Sequence, residues 1–307
     1  MHNLDYDNPH ELATAAVVVG VDGSPGSELA LRWAARYAAA HGRALHILYG
    51  MDLVGVSRVS GPYQVITPPI IDTVRAHGKT ILRHAVETVR SLEPELRVQS
   101  HTYADGGTAL LLEHSASAFA VVLGATGNTG TLSHLGSTLL AVTAHAHGPV
   151  IVVRPDPQAD NTVHDSGPVV VGIDGGPVSE PAIAAAFAEA SARGAELIAV
   201  HVWSDWDLGA YLGENPGPAL EDVDTVEEAV LAERLAGWQQ KYPDVHVTRR
   251  VYVNGPAQQL TEWSGSAQLI VVGNHGRGGF LGMLLGSTAH SLVQHARCPV
   301  MVVHGER

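Results

Sequence analysis

The sequence predicts an α/β protein of two tandem, open, parallel five-stranded sheets with helices on both faces. Three observations predict it. First, the chain repeats itself. Val17-Val18-Val19-Gly20-Val21-Asp22-Gly23 recurs as Val169-Val170-Val171-Gly172-Ile173-Asp174-Gly175, and the same offset of 152 carries Gly42 to Gly194 and Leu45 to Leu197. The offset then becomes 149 (Gly124 to Gly273, Gly127 to Gly276) and finally 150 (Gly136-Ser137 to Gly286-Ser287). Order is kept throughout, which is the signature of a duplication. Second, the runs that open and close each copy are apolar without polar alternation and mostly β-branched, as suits a strand buried on both faces. Third, a segment of helical period follows nearly every run, and that alternation builds parallel sheets.

Taken in order, Ala16–Val21 reads as the first strand. Ser24-Pro25 supplies an N-cap and a proline at the first helical position. Leu29, Trp33 and Tyr37 form a helical stripe that Gly42 ends. Leu45–Tyr49 is the second strand, residues 72–92 an amphipathic helix stopped before Pro94, and Arg97–Tyr103 the third strand. A short helix (Thr108–Ser117) precedes Phe119–Leu123, and Ser137–His147 and Pro149–Val153 complete the copy. The second copy repeats the pattern with helices at 177–193 and 223–241 and strands at 196–202, 245–252, 268–272 and 299–303. Arg154–Pro168 has no periodicity and reads as a linker. The expected domains are 1–157 (core 16–154) and 158–307 (core 168–303), as a length of 307 residues suggests at roughly 100–200 residues per domain.

Composition narrows the function. Net charge is −13 without a basic run, so nucleic acid and anionic membranes are not expected partners. Cys298 is alone, which precludes an internal disulfide and fits a reducing cytosol. The polar start (Asp5, Asp7, Pro9) does not read as a signal peptide, and no stretch reaches a membrane-spanning length. A cytoplasmic protein is expected. The 18 histidines show no spacing suited to a metal, and Cys298 before Pro299 reads as packing.

The informative stretch is Val271-Val272-Gly273-Asn274-His275-Gly276-Arg277, then Gly286-Ser287-Thr288. A strand ends in a glycine-dense loop, and a helix over Thr288–Ala296 follows with Ser287 as its expected N-cap. Glycines allow close approach of a ligand to the backbone, and free N–H groups at a helix start favour an anion. This is a phosphate-binding proposal. Asp22 and Asp174 either contact a ligand across from the loop or bond the following amides as Asx-turns. Arg277 either neutralises phosphate or is solvated. If strand four returns beside strand one, Asp174 and Gly273 face one crevice at the strand C-termini.

The spacing Gly273-x2-Gly276-x9-Gly286-Ser287, with an acid just after the first strand, resembles the universal stress protein family in its ATP-binding branch. The tandem arrangement is similar to two-domain members common in mycobacteria and related actinobacteria. The resemblance covers both copies and implies a Rossmann-like, adenine nucleotide alpha hydrolase-like fold that binds ATP, usually with Mg²⁺. Carried over by motif, it implicates Asp174, Val202, Val272, Gly273, Gly276, Gly286, Ser287 and Thr288. In the first copy it implicates Asp22, Gly50, Leu123, Gly124, Gly127, Gly136, Ser137 and Thr138. The first copy departs from the pattern, with eight residues between Gly127 and Gly136 and no counterpart of Arg277. By the same resemblance the final strands pair across copies into an intrachain pseudo-dimer, and a homodimer and further, unidentified protein partners are expected.

No Walker A lysine, nucleophile elbow or paired acids emerge, so binding is better supported than catalysis. The function expected is a nucleotide-responsive regulator in stress or growth arrest. The alternatives are a slow ATPase or nucleotidyl-transferring enzyme of the same architecture, or a scaffold that binds no nucleotide. The aperiodic stretches 51–70 and 203–221, the latter with Trp203, Trp206 and Tyr211, read as lids or edge covers.

Overall fold

A computed structural model describes residues 15–52, 68–127, 136–203, 219–276 and 285–305, with side chains omitted for 68–70 and 219–225. The chain divides into two compact units, Met1–Val153 and Arg154–Arg307.

The first unit runs β1 (Val17–Gly20), α1 (Pro25–Ala40), β2 (Leu45–Gly50), α2 (Pro68–Leu92), β3 (Val98–Tyr103), α3 (Gly107–Ser115), β4 (Ala120–Gly124), α4 (Ser137–His145) and β5 (Val150–Val153). Its strand order is β3-β2-β1-β4-β5, all parallel, with Val17 in register with Leu45 on one side and Ala120 on the other. Strand four therefore does return beside strand one. Helices α1 and α2 pack against each other, as do α3 and α4, which covers both faces. Val17, Val19, Leu45, Ile47, Val121 and Val122 have no exposed surface. Each such side chain contributes about 1.5–3 kcal/mol of transfer free energy, which is why a run with no polar alternation is stable only here.

The second unit repeats this with β6 (Val169–Ile173), α5 (Glu180–Arg193), β7 (Leu197–Val202), α6 (Ala219–Lys241), β8 (Val247–Tyr252), α7 (Pro256–Trp263), β9 (Leu269–Gly273), α8 (Ser287–His295) and β10 (Val300–Val303). The order is β8-β7-β6-β9-β10. Here the first helix opens as a single 3₁₀ turn, Pro177–Ser179, before turning α-helical at Glu180. Gly194 closes it in the left-handed region at φ 58°. Helices α2 and α6 each start a turn earlier than the periodicity suggests, at Pro68 and Ala219. Among the described residues no helix is long and apolar enough to cross a membrane.

Arg154–Pro168 is not a free tether. Asp156 and Thr162 form an antiparallel bridge, and Asp156 is 4% exposed. The His164 ring binds Asp156 Oδ2 at 3.0 Å through Nε2 and the Ala267 carbonyl at 2.9 Å through Nδ1. Arg154, itself buried, donates from Nε to Ala296 O and from a terminal nitrogen to Val293 O, both at 2.8 Å. A guanidinium at the last carbonyls of α8 complements that helix's dipole. Polar composition concealed this packing because Arg154 and the His164 Nδ1 meet their partners more than 100 residues away in sequence.

Candidate functional site

In each unit β1 or β6 lies directly beside β4 or β9, so the loops leaving their C-terminal ends meet. After the first strand the chain turns sharply through Gly23 and Gly175, whose φ values of 80° and 76° fall in the left-handed region that favours glycine. Asp22 and Asp174 brace that turn. Asp22 Oδ1 accepts from the Ser24 N–H at 2.9 Å, and Asp174 Oδ1 accepts from the Gly176 N–H at 2.8 Å. These are the Asx-turns that the sequence left open.

The second carboxylate oxygen does something else. A Cβ placed on Gly127 would lie 3.3 Å from Asp22 Oδ2, and one on Gly276 would lie 3.7 Å from Asp174 Oδ2. The acid and the second loop glycine therefore face one another in both units. In the second unit Asp174 Oδ2 is buried and has no hydrogen-bond partner among the described residues. One oxygen holds the turn and the other points at the glycine loop, so the two readings of these acids are compatible.

Ser27 and Ser179 complete the brace and were missed in the sequence. The N–H of Asp22 donates to Ser27 Oγ at 3.3 Å, and that of Asp174 to Ser179 Oγ at 2.9 Å. Ser179 Oγ also donates to Asp174 Oδ1. The signal was available: both copies carry a serine five residues after the acid. His201 was missed as well. Its Nδ1 meets the carbonyl of Ile173, the residue before Asp174, at 2.7 Å, and its Nε2 meets Glu227 of α6 at 3.0 Å. At the corresponding position of the first unit, burial first and then the nearby Asp22 charge push the Tyr49 phenol up, so it stays protonated.

Helices α4 and α8 begin across the loop from these acids. Ser287 was expected to cap α8. Instead Gly286 is the N-cap and Ser287 the first helical residue; Gly136 and Ser137 stand in the same relation in α4. Neither cap supplies a side-chain hydrogen bond, because glycine has none to give, so among the described residues the first-turn N–H groups of both helices lack a side-chain cap. Ser137 and Ser287 are exposed beside them. Thr138 accepts from Thr108 Oγ1 at 2.9 Å, tying α4 to the start of α3, while Thr288 follows Ser287 on α8.

The two loops close differently. In the second unit the Gly286 N–H donates to the Asn274 carbonyl at 2.8 Å, and a Cβ on Gly286 would come within 3.4 Å of His275 Cα. In the first unit a Cβ on Gly136 would meet nothing within 4 Å among the described residues. The first unit instead compresses elsewhere: a Cβ on Gly26 would sit 1.9 Å from the Thr126 carbonyl, and one on Gly124 would sit 2.3 Å from the Gly26 carbonyl. The second unit has Val178 at the place of Gly26, 47% exposed.

The remaining expected residues separate by what they can offer. Leu123 and Val272 turn their side chains into the core, against Gly20 and Gly172, and can present only backbone. Gly50 is pressed onto the turn before α3, where a Cβ would lie 2.6 Å from the Gly107 nitrogen. Val202 pairs with Tyr252 at the end of β7, half-buried. Gly273 sits at the close of β9, where a Cβ would lie 3.0 Å from the His275 carbonyl. Arg277, Trp206 and Tyr211 lie outside the described residues. Cys298 has no exposed surface and burial pushes its thiol up, so it is core packing.

Chemically, each crevice pairs a fixed acid with uncapped helix amides across a glycine loop. Amides and a helix dipole hold an anion, and a carboxylate oxygen holds hydroxyl or amino donors. A ligand with phosphate at one end and hydroxyls at the other matches both.

Comparison with known proteins bears on this geometry. Residues 15–154 and 166–304 each match the Universal stress protein family. A universal stress protein of Mycolicibacterium smegmatis is 44% identical over 299 residues, covering 94% of this chain and 96% of that protein. Universal stress protein Rv2005c of Mycobacterium tuberculosis is 41% identical over 293 residues, covering 93% and 96%. Universal stress protein Rv2623 of the same species is 36% identical over 298 residues, covering 94% and 96%. Among solved structures, a universal stress protein from Archaeoglobus fulgidus shares the fold with a TM-score of 0.64 at 18% identity, covering 94% of this chain and 98% of that one.

Proposed function

The chain belongs to the universal stress protein family, and from that premise we propose that it binds ATP at the glycine loops and acts as a nucleotide-responsive regulator of stress response or growth arrest in the cytoplasm. The observation that carries the reading is the pairing of Asp174 Oδ2, buried and without a partner among the described residues, with the uncapped start of α8 across Gly276. Under this reading the amides of Gly286, Ser287 and Thr288 take the phosphates, and Asp174 takes a hydroxyl of the sugar. The second unit is the better prepared site because Gly286 already ties its loop to Asn274.

The residues fit a triphosphate, since they offer amides, hydroxyls and glycine-lined space at one end and an acid at the other. Mg²⁺ would fit as a companion of that ligand, where the exposed Ser137 and Ser287 hydroxyls would help to hold it and it would neutralise phosphate charge. No group of three His, Cys, Asp or Glu able to hold a metal lies among the described residues.

Regulation follows if ATP binds two arrangements of the flanking segments with different affinity, and a partner reads the favoured one. A binding protein needs no more than these groups, and an enzymatic role needs a base and a positioned water besides. Denaturing the purified protein and identifying the released small molecule by mass spectrometry tests the reading. ATP or ADP released in a fixed ratio supports it. Release of no nucleotide, together with no thermal shift in excess ATP and Mg²⁺, overturns it.

A further inference from the structure

The first unit carries a second feature that nucleotide binding does not use. Strand β3 is an edge strand, and among the described residues no strand pairs with its outer side. Four of its six residues, Gln99 to Thr102, are exposed. Beside it, α2 and β3 enclose a groove of about 460 Å³. Lys79, Arg83 and Arg90 of α2 line the groove with Ser100 and Thr102 of β3, and Glu87 is the one acid among them. Leu82 and Val86 form its apolar floor. None of the three cations has an ion pair among the described residues.

Two facts mark this as more than a solvated face. The chain has a net charge of −13, with 18 Lys and Arg against 31 Asp and Glu, so three cations around one groove, without ion pairs among the described residues, run against its overall field. The duplication also provides an internal control. With Pro94 aligned to Pro243, Lys79 becomes Glu228, Arg83 becomes Ala232 and Arg90 becomes Gln239, while the core position Leu82 stays Leu231. The fold therefore does not need these cations.

We propose that the groove between α2 and β3 docks an acidic, extended segment of a partner protein, which adds as a strand to β3 and sets alternate Asp or Glu side chains against Lys79, Arg83 and Arg90. Main-chain bonds to an edge strand give affinity, and alternate side chains give specificity. The lengths agree. Lys79 to Arg90 is 90 − 79 = 11 residues, about 16 Å at helical rise, and six residues of β3 span about 16 Å in extended form. Lys79 and Arg83 are about 6 Å apart along the helix axis, close to the roughly 6.6 Å between same-face residues of a strand. A second copy of this chain fits poorly. Pairing β3 with β3 brings the same cations together, and the other unit's edge strand, β8, exposes Arg249 and Arg250.

The test uses the full chain and a labelled eight-residue peptide of alternating Glu and Val, with a Lys/Val peptide as control. The Glu peptide is expected to bind, to weaken with salt, and to protect the amides of residues 98–103 from hydrogen exchange. Lys79→Glu with Arg83→Glu turns attraction into repulsion and lowers affinity on the order of tenfold or more, while ATP affinity and melting temperature stay unchanged. Lys79→Gln with Arg83→Gln gives an intermediate loss. Equal binding of both peptides, no binding of the Glu peptide at millimolar concentration, or binding without protection of 98–103 overturns the proposal. So does preferential binding of poly(U) or phosphatidylserine vesicles that the charge reversals abolish, because an anion-binding patch and not strand addition then accounts for the cations.

Discussion

Asp174 and Gly276 stand face to face across the mouth of the second sheet: a Cβ on the glycine would lie 3.7 Å from Asp174 Oδ2, an oxygen that is buried and unpaired among the described residues. A carboxylate oxygen without a donor is costly to bury, by about 1–3 kcal/mol or more for a charged group. A structure that keeps one beside a glycine loop has either a ligand donor for it or a reason to hold it strained.

Asp174→Asn separates those outcomes. Asparagine keeps the shape and the acceptor oxygen that holds Gly176, so stability should stay within about 1 kcal/mol of the original. ATP affinity should fall roughly tenfold, the cost of about one lost charge-assisted bond. Titration calorimetry and urea unfolding on the same sample check both numbers. Lost stability with full affinity would make Asp174 a turn residue only.

Gly26→Ala should damage the first unit severely. Its Cβ would sit 1.9 Å from the Thr126 carbonyl, a backbone atom that cannot rotate away. About 3 kcal/mol of destabilisation is expected, the upper end of overpacking costs. Val178→Gly, at the same place in the second unit, removes an exposed side chain and should cost about 1 kcal/mol or less, the helix-start price of glycine. Limited proteolysis, which reports each unit separately, distinguishes the two.

Arg154→Met removes two charge-assisted bonds from a buried position and leaves the carbonyls of Val293 and Ala296 without that donor. A loss of about 2–4 kcal/mol in the second unit is expected. Arg154→Lys should rescue little, because an ammonium cannot reach both carbonyls in the guanidinium's planar geometry. Faster hydrogen exchange at residues 292–296 would confirm the site of damage.

Acid should loosen the first unit through His46 and His114. Burial, then the neighbouring His101 and His114, hold His46 below its ordinary 6.5. Burial also lowers His114, with Glu113 opposing and His101 adding to the effect. Both groups bind fewer protons folded than unfolded, so stability falls as pH drops below about 6.5 towards the lowered folded values and is independent of these groups above it. His46→Gln should flatten that acid limb in pH-dependent unfolding. An unchanged slope would show that His46 is not responsible.

Much of this architecture was readable from residues alone. Val17–Val19 and Val169–Val171 are apolar on both sides, and only a central parallel strand satisfies that. The duplicated acid and spaced glycines then placed the crevice. What escaped reading depends on three-dimensional approach. Cap identity follows backbone angles, so Gly286 and not Ser287 caps α8. Gly26 reads as an ordinary first-turn residue until Thr126 is seen against it. Arg154 reaches Val293 and Ala296 across nearly half the chain, a distance over which local pattern carries no information.

The most direct test is titration of the full chain with ATP and Mg²⁺, in the original sequence and in the double substitution Asp22→Asn with Asp174→Asn. Saturable binding that the pair of substitutions weakens at least tenfold, with both units still folded, is the expected result. Identical binding isotherms for the two proteins, or no heat of binding in either, would contradict nucleotide recognition at these crevices.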